Sequence, residues 1–385
     1  MRHKTWLGAC AAVALAVPAY AQDYVIGLSS ALTGPPASTY APMADSLRLY
    51  LDRVNAAGGV NGHKITLVVQ DDSAEPSKAA ANARKLVTQD NVLLVINASL
   101  SSTYAPVVAE IKRAEVPVMF ANGVCPREVY PPADPLQFCT TAYAAGYDSR
   151  AALAFIRQSG SGALKVGFAA MAIPVSRAEI DLAEEHAKSI GLASVGKEVI
   201  PPATADYTPF ATKLKEAGAA WVFSWAPWVT QVRTFEALRR LGWDGSYISW
   251  GHIEAEGELA RIKDPKFFTL GANALFQDGL PIHKTIEAAA AKAGSKYPAN
   301  QMAEGWLAGQ VVEAALKKIS GPADAKKMRA ALETVAVDTQ GLRGGPLEWT
   351  KDNHFRLKQH YRVYRWDTGT NAIVRAQDWV AHEVK

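Results

Sequence analysis

The chain alternates between two hydrophobic periods. Val25–Leu28 is a short apolar run leading into a Ser/Thr/Gly stretch, and it reads as a buried strand. Met43, Leu47, Tyr50, Leu51 and Val54 then recur at helical spacing until Gly58-Gly59 ends the helix. Ile65–Val69 is a second strand, nearly all apolar, as expected where both faces of a parallel sheet are covered. Helices over Pro76–Gln89 and Tyr104–Ala114 alternate with strands at Val92–Ile96 and Val116–Phe120. This βαβαβαβ order predicts a doubly wound parallel sheet.

A stretch containing Pro126, Pro131, Pro132 and Pro135 interrupts the rhythm, which then restarts. Helices are expected over Ala145–Gln158, Ser176–Ile190, Tyr207–Ala217 and Thr230–Leu241. Strands are expected at Lys165–Ala170, Ala193–Ile200, Ala220–Trp225 and Tyr247–Ser249, the last followed by a polar loop. A strand near Leu270–Phe276 and helices over Ile282–Ala293, Asn300–Ile319 and Ala323–Val335 come next. Short strands follow at Pro346–Trp349, Gln359–Trp366 and Ile373–Ala376. A chain that begins a second α/β unit and then reverts to long helices is expected to return to its first unit.

The first residues change where this fold is expected to work. Arg2 and Lys4, the apolar run Leu7–Val17 and Ala19-Tyr20-Ala21 have the form of a cleaved secretory signal peptide over residues 1–21. Leu7-Gly8-Ala9-Cys10 loosely resembles a lipoprotein box, the alternative to cleavage after Ala21. Lys plus Arg number 41 against 37 Asp plus Glu, with no basic stripe, which argues against a nucleic-acid partner. Beyond the leader only Cys125 and Cys139 remain, and two cysteines in an exported chain most often pair.

No GxSxG elbow, HExxH helix, P-loop or CxxC pair is present, so no catalytic residue, cofactor or metal is expected. His252 with Glu254 and Glu256 reads mainly as a polar loop in which His252 can face a ligand. Asp71-Asp72 reads as a turn and helix cap. In an open parallel sheet, ligands sit outside the carboxyl ends of the strands. Those loops are Ser29–Tyr40, Asp71–Glu75, Asn97–Thr103 and Ala121–Arg127 in the first unit. In the second they are Met171–Arg177, Trp225–Thr230 and Trp250–Glu254. The first set carries Asn97, Ser99, Ser101, Ser102 and Thr103 ahead of a helix N-terminus, suited either to a carboxylate or to capping alone. The second carries Trp225, Trp228 and Trp250, which favours an apolar or aromatic ligand.

The export signal, YVIGLSSALTGP, a helix ending in DRVNAAGGVNG and the strand KITLVVQDD together follow one pattern. The chain resembles periplasmic solute-binding proteins of the leucine/isoleucine/valine-binding type, which feed ABC uptake transporters. The resemblance covers essentially the whole mature chain. It implies the type I periplasmic binding protein fold, with two α/β lobes joined by three crossovers that close on a ligand. The crossovers would fall near Thr140–Tyr143, Gly271–Phe276 and Gly344–Glu348. Lobe 1 would then comprise residues 22–141 and 273–345, and lobe 2 residues 142–272 and 346–385.

The family pattern places a ligand carboxylate at Ser101, Ser102 and Thr103 and at Asn122, Gly123 and Val124, with Tyr40 covering it. Where relatives carry an acidic residue for the ligand's ammonium group, this sequence has Gly251 or His252. Where they carry a tyrosine after the second lobe's first strand, it has Val175, beside Ser176 and Arg177. A buried ammonium without a partner costs several kcal/mol. Two ligand classes follow: an aliphatic amino acid, if Glu254 or Glu256 substitutes, or an aromatic or branched carboxylic acid paired by Arg127 or Arg177. The expected partners are that small carboxylate and ABC permease subunits, met in the periplasm by a monomer. A ligand-sensing receptor on the same scaffold is the alternative.

Overall fold

The computed structural model describes residues 23–161 and 164–384. The expected signal peptide lies outside the described residues. The first sheet is parallel, in the order β2-β1-β3-β4-β6, where β1 is Tyr24–Ser30, β2 Ile65–Asp71, β3 Leu94–Ala98, β4 Val118–Phe120 and β6 Gln137–Cys139. Helices α1 (Ala37–Ala56), α2 (Pro76–Thr88) and α3 (Tyr104–Ala114) are the crossovers between these strands. Every residue of β3 is buried, as its LVINA sequence requires of a central strand.

Within the Pro-rich stretch, β5 (Val124–Cys125) pairs in parallel with β7 (Tyr143–Ala144). Strand β6 is an addition to the expected elements: it joins the sheet beside β4, and a Cys125–Cys139 disulfide ties it to β5.

The second unit comprises α4 (Tyr147–Gln158), β8 (Lys165–Met171), α5 (Pro174–Ser189), β9 (Ala193–Ile200), α6 (Thr208–Glu216) and β10 (Trp221–Trp225). It continues through α7 (Trp228–Arg240), β11 (Ser246–Trp250), α8 (Ala255–Ile262) and β12 (Phe267–Gly271). The chain then returns to the first lobe as α9 (Pro281–Ala293), α10 (Ala303–Leu316), α11 (Ala325–Leu332), β13 (Ala336–Val337) and β14 (Leu347–Glu348). It ends as the hairpin β15 (Lys358–Asp367) and β16 (Ala372–Glu383). The second sheet runs β16-β15-β12-β11-β10-β8-β9, with β15 antiparallel to β12.

Helix α10 docks on α1 because its glycines let the backbones meet. A Cβ on Gly305 would lie 2.1 Å from the Met43 carbonyl oxygen. Trp306, Leu307, Val311, Val312 and Leu316 are buried at or near this interface, each contributing roughly 1.5–3 kcal/mol of transfer free energy.

Between the two sheets the chain passes over residues 140–142, 272–275 and 356–357. The third passage lies about ten residues beyond the expected Gly344–Glu348. Strand β14 pairs with β13, Trp349 joins the first lobe's core, and the Cys139 N–H donates to the His354 carbonyl, so residues 346–355 stay with lobe 1. Two buried arginines hold the passages together. Arg343 pairs with Glu304 and reaches Asn273 and the Thr141 carbonyl, and Arg356 donates to that same carbonyl.

Candidate functional site

A small cavity lies between the lobes at the carboxyl ends of their strands. Lobe 1 contributes Thr39 and Tyr40 from the first turn of α1, Leu100 and Ser101 after β3, Tyr104, and Gly123 and Val124 after β4. Lobe 2 contributes Ile173, Val175 and Ser176 after β8, Trp225 and Pro227 after β10, and Trp250 and His252 after β11. Leu100 packs across the gap against Met171, Ile173 and Ala226, so the lobes are in contact here. The lining takes Thr39, Leu100 and Ile173, which the sequence places in the right loops without singling them out, together with Val175 and Ser176, which it names beside Arg177.

One wall is aromatic. Trp225 and Trp250 stack with centroids 4.7 Å apart and planes 28° from parallel. The Trp225 indole donates to Asp148 Oδ2 at 3.1 Å, and Tyr361 donates to the other oxygen of that buried carboxyl. Burial, followed by the nearby Glu179 carboxyl, raises the Asp148 pKa well above its ordinary value. Gln231 Nε2 holds the Trp250 carbonyl at 2.7 Å. Trp228, expected on the rim, is instead in the core of lobe 2, edge-on to Phe267. Pro227 is the residue before α7, so Trp228 is its first helical position and is buried on the helix's inward face.

Three polar atoms of the lining have no hydrogen-bond partner: Ser101 Oγ in lobe 1, and Ser176 Oγ and Trp250 Nε1 in lobe 2. Buried polar groups are rarely left so, and a ligand is one remedy. Ser102 is half-buried beside them without lining the cavity, and Thr103 spends its hydroxyl on the Leu100 carbonyl at 2.8 Å. Gly123 has no side chain because a Cβ there would lie 2.9 Å from Tyr104 Oη. Tyr40 is buried against the cavity, and burial, then Tyr104, Glu254 and Asp72, pushes its pKa well up, so it is a neutral phenol.

Charge is spent within the protein. The Thr39 hydroxyl donates across the cleft to Glu254 Oε1 at 2.5 Å, and His252 Nδ1 sits 2.7 Å from Glu254 Oε2. Burial pushes the Glu254 carboxyl up, but His252 and the Thr39 hydroxyl outweigh it and hold it below its ordinary value. Asn122 does not line this cavity; its amide donates to the Thr39 carbonyl at 2.7 Å and so fixes the latch. Glu256 caps the backbone at Phe276 and Gln277, and Asp72 accepts from Ser29, Ser99 and Ala74. Arg177 lies on the exposed face of α5 and does not line the cavity, because one helical position beyond Ser176 turns the side chain about 100° away. Among the described residues no cluster is placed to hold a metal ion.

Two α/β lobes meeting over a small buried cavity at their strand ends are the arrangement in which a family model, periplasmic binding protein, matches residues 23–371. The chain belongs to the periplasmic binding protein family. Leu/Ile/Val-binding protein homolog 7 of Brucella melitensis is 24% identical over 355 residues, 88% of this chain and 87% of that protein. An amino acid binding protein of Pseudomonas aeruginosa is 40% identical, but over 84 residues, 22% of each chain. This chain thus spans about a quarter of the length of the first curated relatives it matches.

Among solved structures, a branched-chain amino acid ABC transporter protein from Thermus thermophilus with bound valine superposes with TM-score 0.78 at 17% identity, covering 94% of this chain and 96% of that one. An R. palustris ABC-transporter solute-binding protein in complex with benzoate gives 0.79 at 17% identity, covering 94% and 98%. At such identities the likeness shows the type I fold shared with this family. No described helix is long and apolar enough to cross a membrane.

Proposed function

We propose that this protein is the substrate-binding component of an ABC uptake transporter and captures a small carboxylic acid with an aromatic or branched apolar body. It works in the periplasm as a monomer, closes its lobes over the guest and presents the closed form to the permease subunits. Capture and release involve no covalent step. One observation carries the ligand class: the cavity joins a Trp225–Trp250 wall to unpartnered donors Ser101 Oγ, Ser176 Oγ and Trp250 Nε1, with no carboxylate in its lining. Neutral donors from both lobes, with the N-terminal turn before α3, suit an anionic head group. A stacked indole wall suits a flat or branched apolar body.

The second reading, an aliphatic amino acid, rests on Glu254, which lies at the cleft within the second lobe. Both of its oxygens already have protein partners, Thr39 and His252, which leaves an ammonium group without a free acceptor there. A thermal-shift screen separates the two, since ligand binding to the native state raises the melting temperature. Benzoate-class or branched acids should shift the protein strongly. Strong shifts with leucine or valine, and none with the acids, would overturn the preferred reading.

A further inference from the structure

A second, larger groove opens beside the ligand cavity and continues it. Val124 lines the cavity and the next residue, Cys125, lines the groove; on the other lobe Val175 lines both. Tyr130, Pro132, Tyr147 and Leu182 give the groove apolar walls, and Leu182 is 48% exposed. Arg127 of lobe 1 and Arg150 of lobe 2 stand in it, both exposed, and neither takes part in an ion pair among the described residues. Arg150 lies over the Tyr147 ring at 5.9 Å, which steadies it within the groove. The groove's acidic members are Glu128, which is exposed, and Glu179, whose carboxylate already accepts from the Gly146 and Ser149 amides. Tyr130 lines this wall, but its hydroxyl is buried among Asp148, Arg356 and Glu179 and is not offered to the groove.

We infer that this groove is the second half of the ligand site and holds the far end of an elongated acid, whose second anionic group is taken by Arg127 and Arg150. The inference rests on the carboxylic-acid reading above and narrows it to acids with an apolar body and anions at both ends. Both lobes supply a guanidinium, so the distal anion bridges the lobes only when they are closed. Affinity for such a ligand therefore includes the closing step, whereas a ligand confined to the cavity lacks this bridge.

Calorimetry on the full mature protein with benzoate, 4-butylbenzoate and 4-(3-carboxypropyl)benzoate tests this, because the last two differ only in the distal carboxylate. The diacid should bind about tenfold tighter than 4-butylbenzoate at low salt, an advantage that shrinks as salt rises. In the R127Q/R150Q variant the ratio between the two should fall to about one. Equal affinities in the unaltered protein, or an advantage that survives in R127Q/R150Q, overturn the inference. Benzoate binding without any gain from the diacid overturns this inference alone. No binding by any of the three overturns both it and the aromatic form of the carboxylic-acid reading.

Discussion

Thr39 in the first turn of α1 donates its hydroxyl to Glu254 on the opposite lobe, and so joins the two halves through one hydrogen bond, which opening of the lobes as proposed would break. Its carbonyl is held in turn by Asn122. A hydrogen bond to a charged group contributes about 1.5–3 kcal/mol. Thr39→Val should therefore weaken every ligand by about tenfold or more, whatever its chemistry, while Thr39→Ser should not. Calorimetry measures the affinity, and small-angle scattering the fraction closed. A loss confined to one ligand would mean that Thr39 reads the guest and does not latch the lobes.

The same contact sets a pH dependence. His252 and Thr39 hold the Glu254 carboxyl below its ordinary value against the upward push of burial, so its ionised form is favoured in the folded protein. A depressed folded-state pKa contributes stability that is complete above the unfolded value, about 4.3, and is lost as pH falls through the folded one. The melting-temperature gap between the unaltered protein and Glu254→Gln should be greatest above about pH 5 and narrow below about pH 4. A gap that widens on acidification would reverse the sign and remove Glu254 from the latch.

Ser176 and Trp250 distinguish ligand donors from structural ones. Their free polar atoms bond nothing in the protein, so removing them should cost little stability. Ser176→Ala should leave the melting temperature unchanged or higher in the ligand-free protein, yet raise Kd about five- to fifteenfold. Trp250→Phe should keep the stacked wall but lose the N–H, with a similar rise, whereas Trp250→Ala should lose more through lost aromatic contact. A destabilised S176A protein with unaltered affinity would make the serine a packing residue.

The Cys125–Cys139 link should matter to stability more than to recognition. It closes a loop with a sequence separation of 14, for which chain entropy gives about 3 kcal/mol. Replacing both cysteines by serine should lower the melting temperature by several degrees, measured by calorimetry, and loosen the groove wall that starts at Cys125. An unchanged melting temperature would show that the Pro-rich segment is held without it.

The doubly wound pattern was legible because β1 to β4 and their helices carry clean apolar periods, seen in the fully buried β3. Strand β6 was not, since Gln137-Phe138-Cys139 is three residues set after prolines and earns its place only by pairing with β4. Helix α8 was hidden by His252, Glu254 and Glu256, which read as a polar loop although Glu254 is its N-cap and Glu256 lies in its first turn. The late third passage depends on contacts such as Cys139 with His354, distant in sequence and invisible to local pattern. The site was half legible. Strand-end loops place Trp225, Trp250, Ser101, Val124 and His252 together, but the turn-by-turn rotation of short helices decides that Ser176 faces in and Arg177 out.

One carbonyl oxygen, that of Thr141, accepts from both Arg343 and Arg356 and so knots the straps at a shared pivot. Any swing of the proposed jaws would therefore turn about this one axle, without three loose threads flexing independently. A fluorophore placed on either outer lip, far from the guest, should report occupancy as faithfully as one beside it.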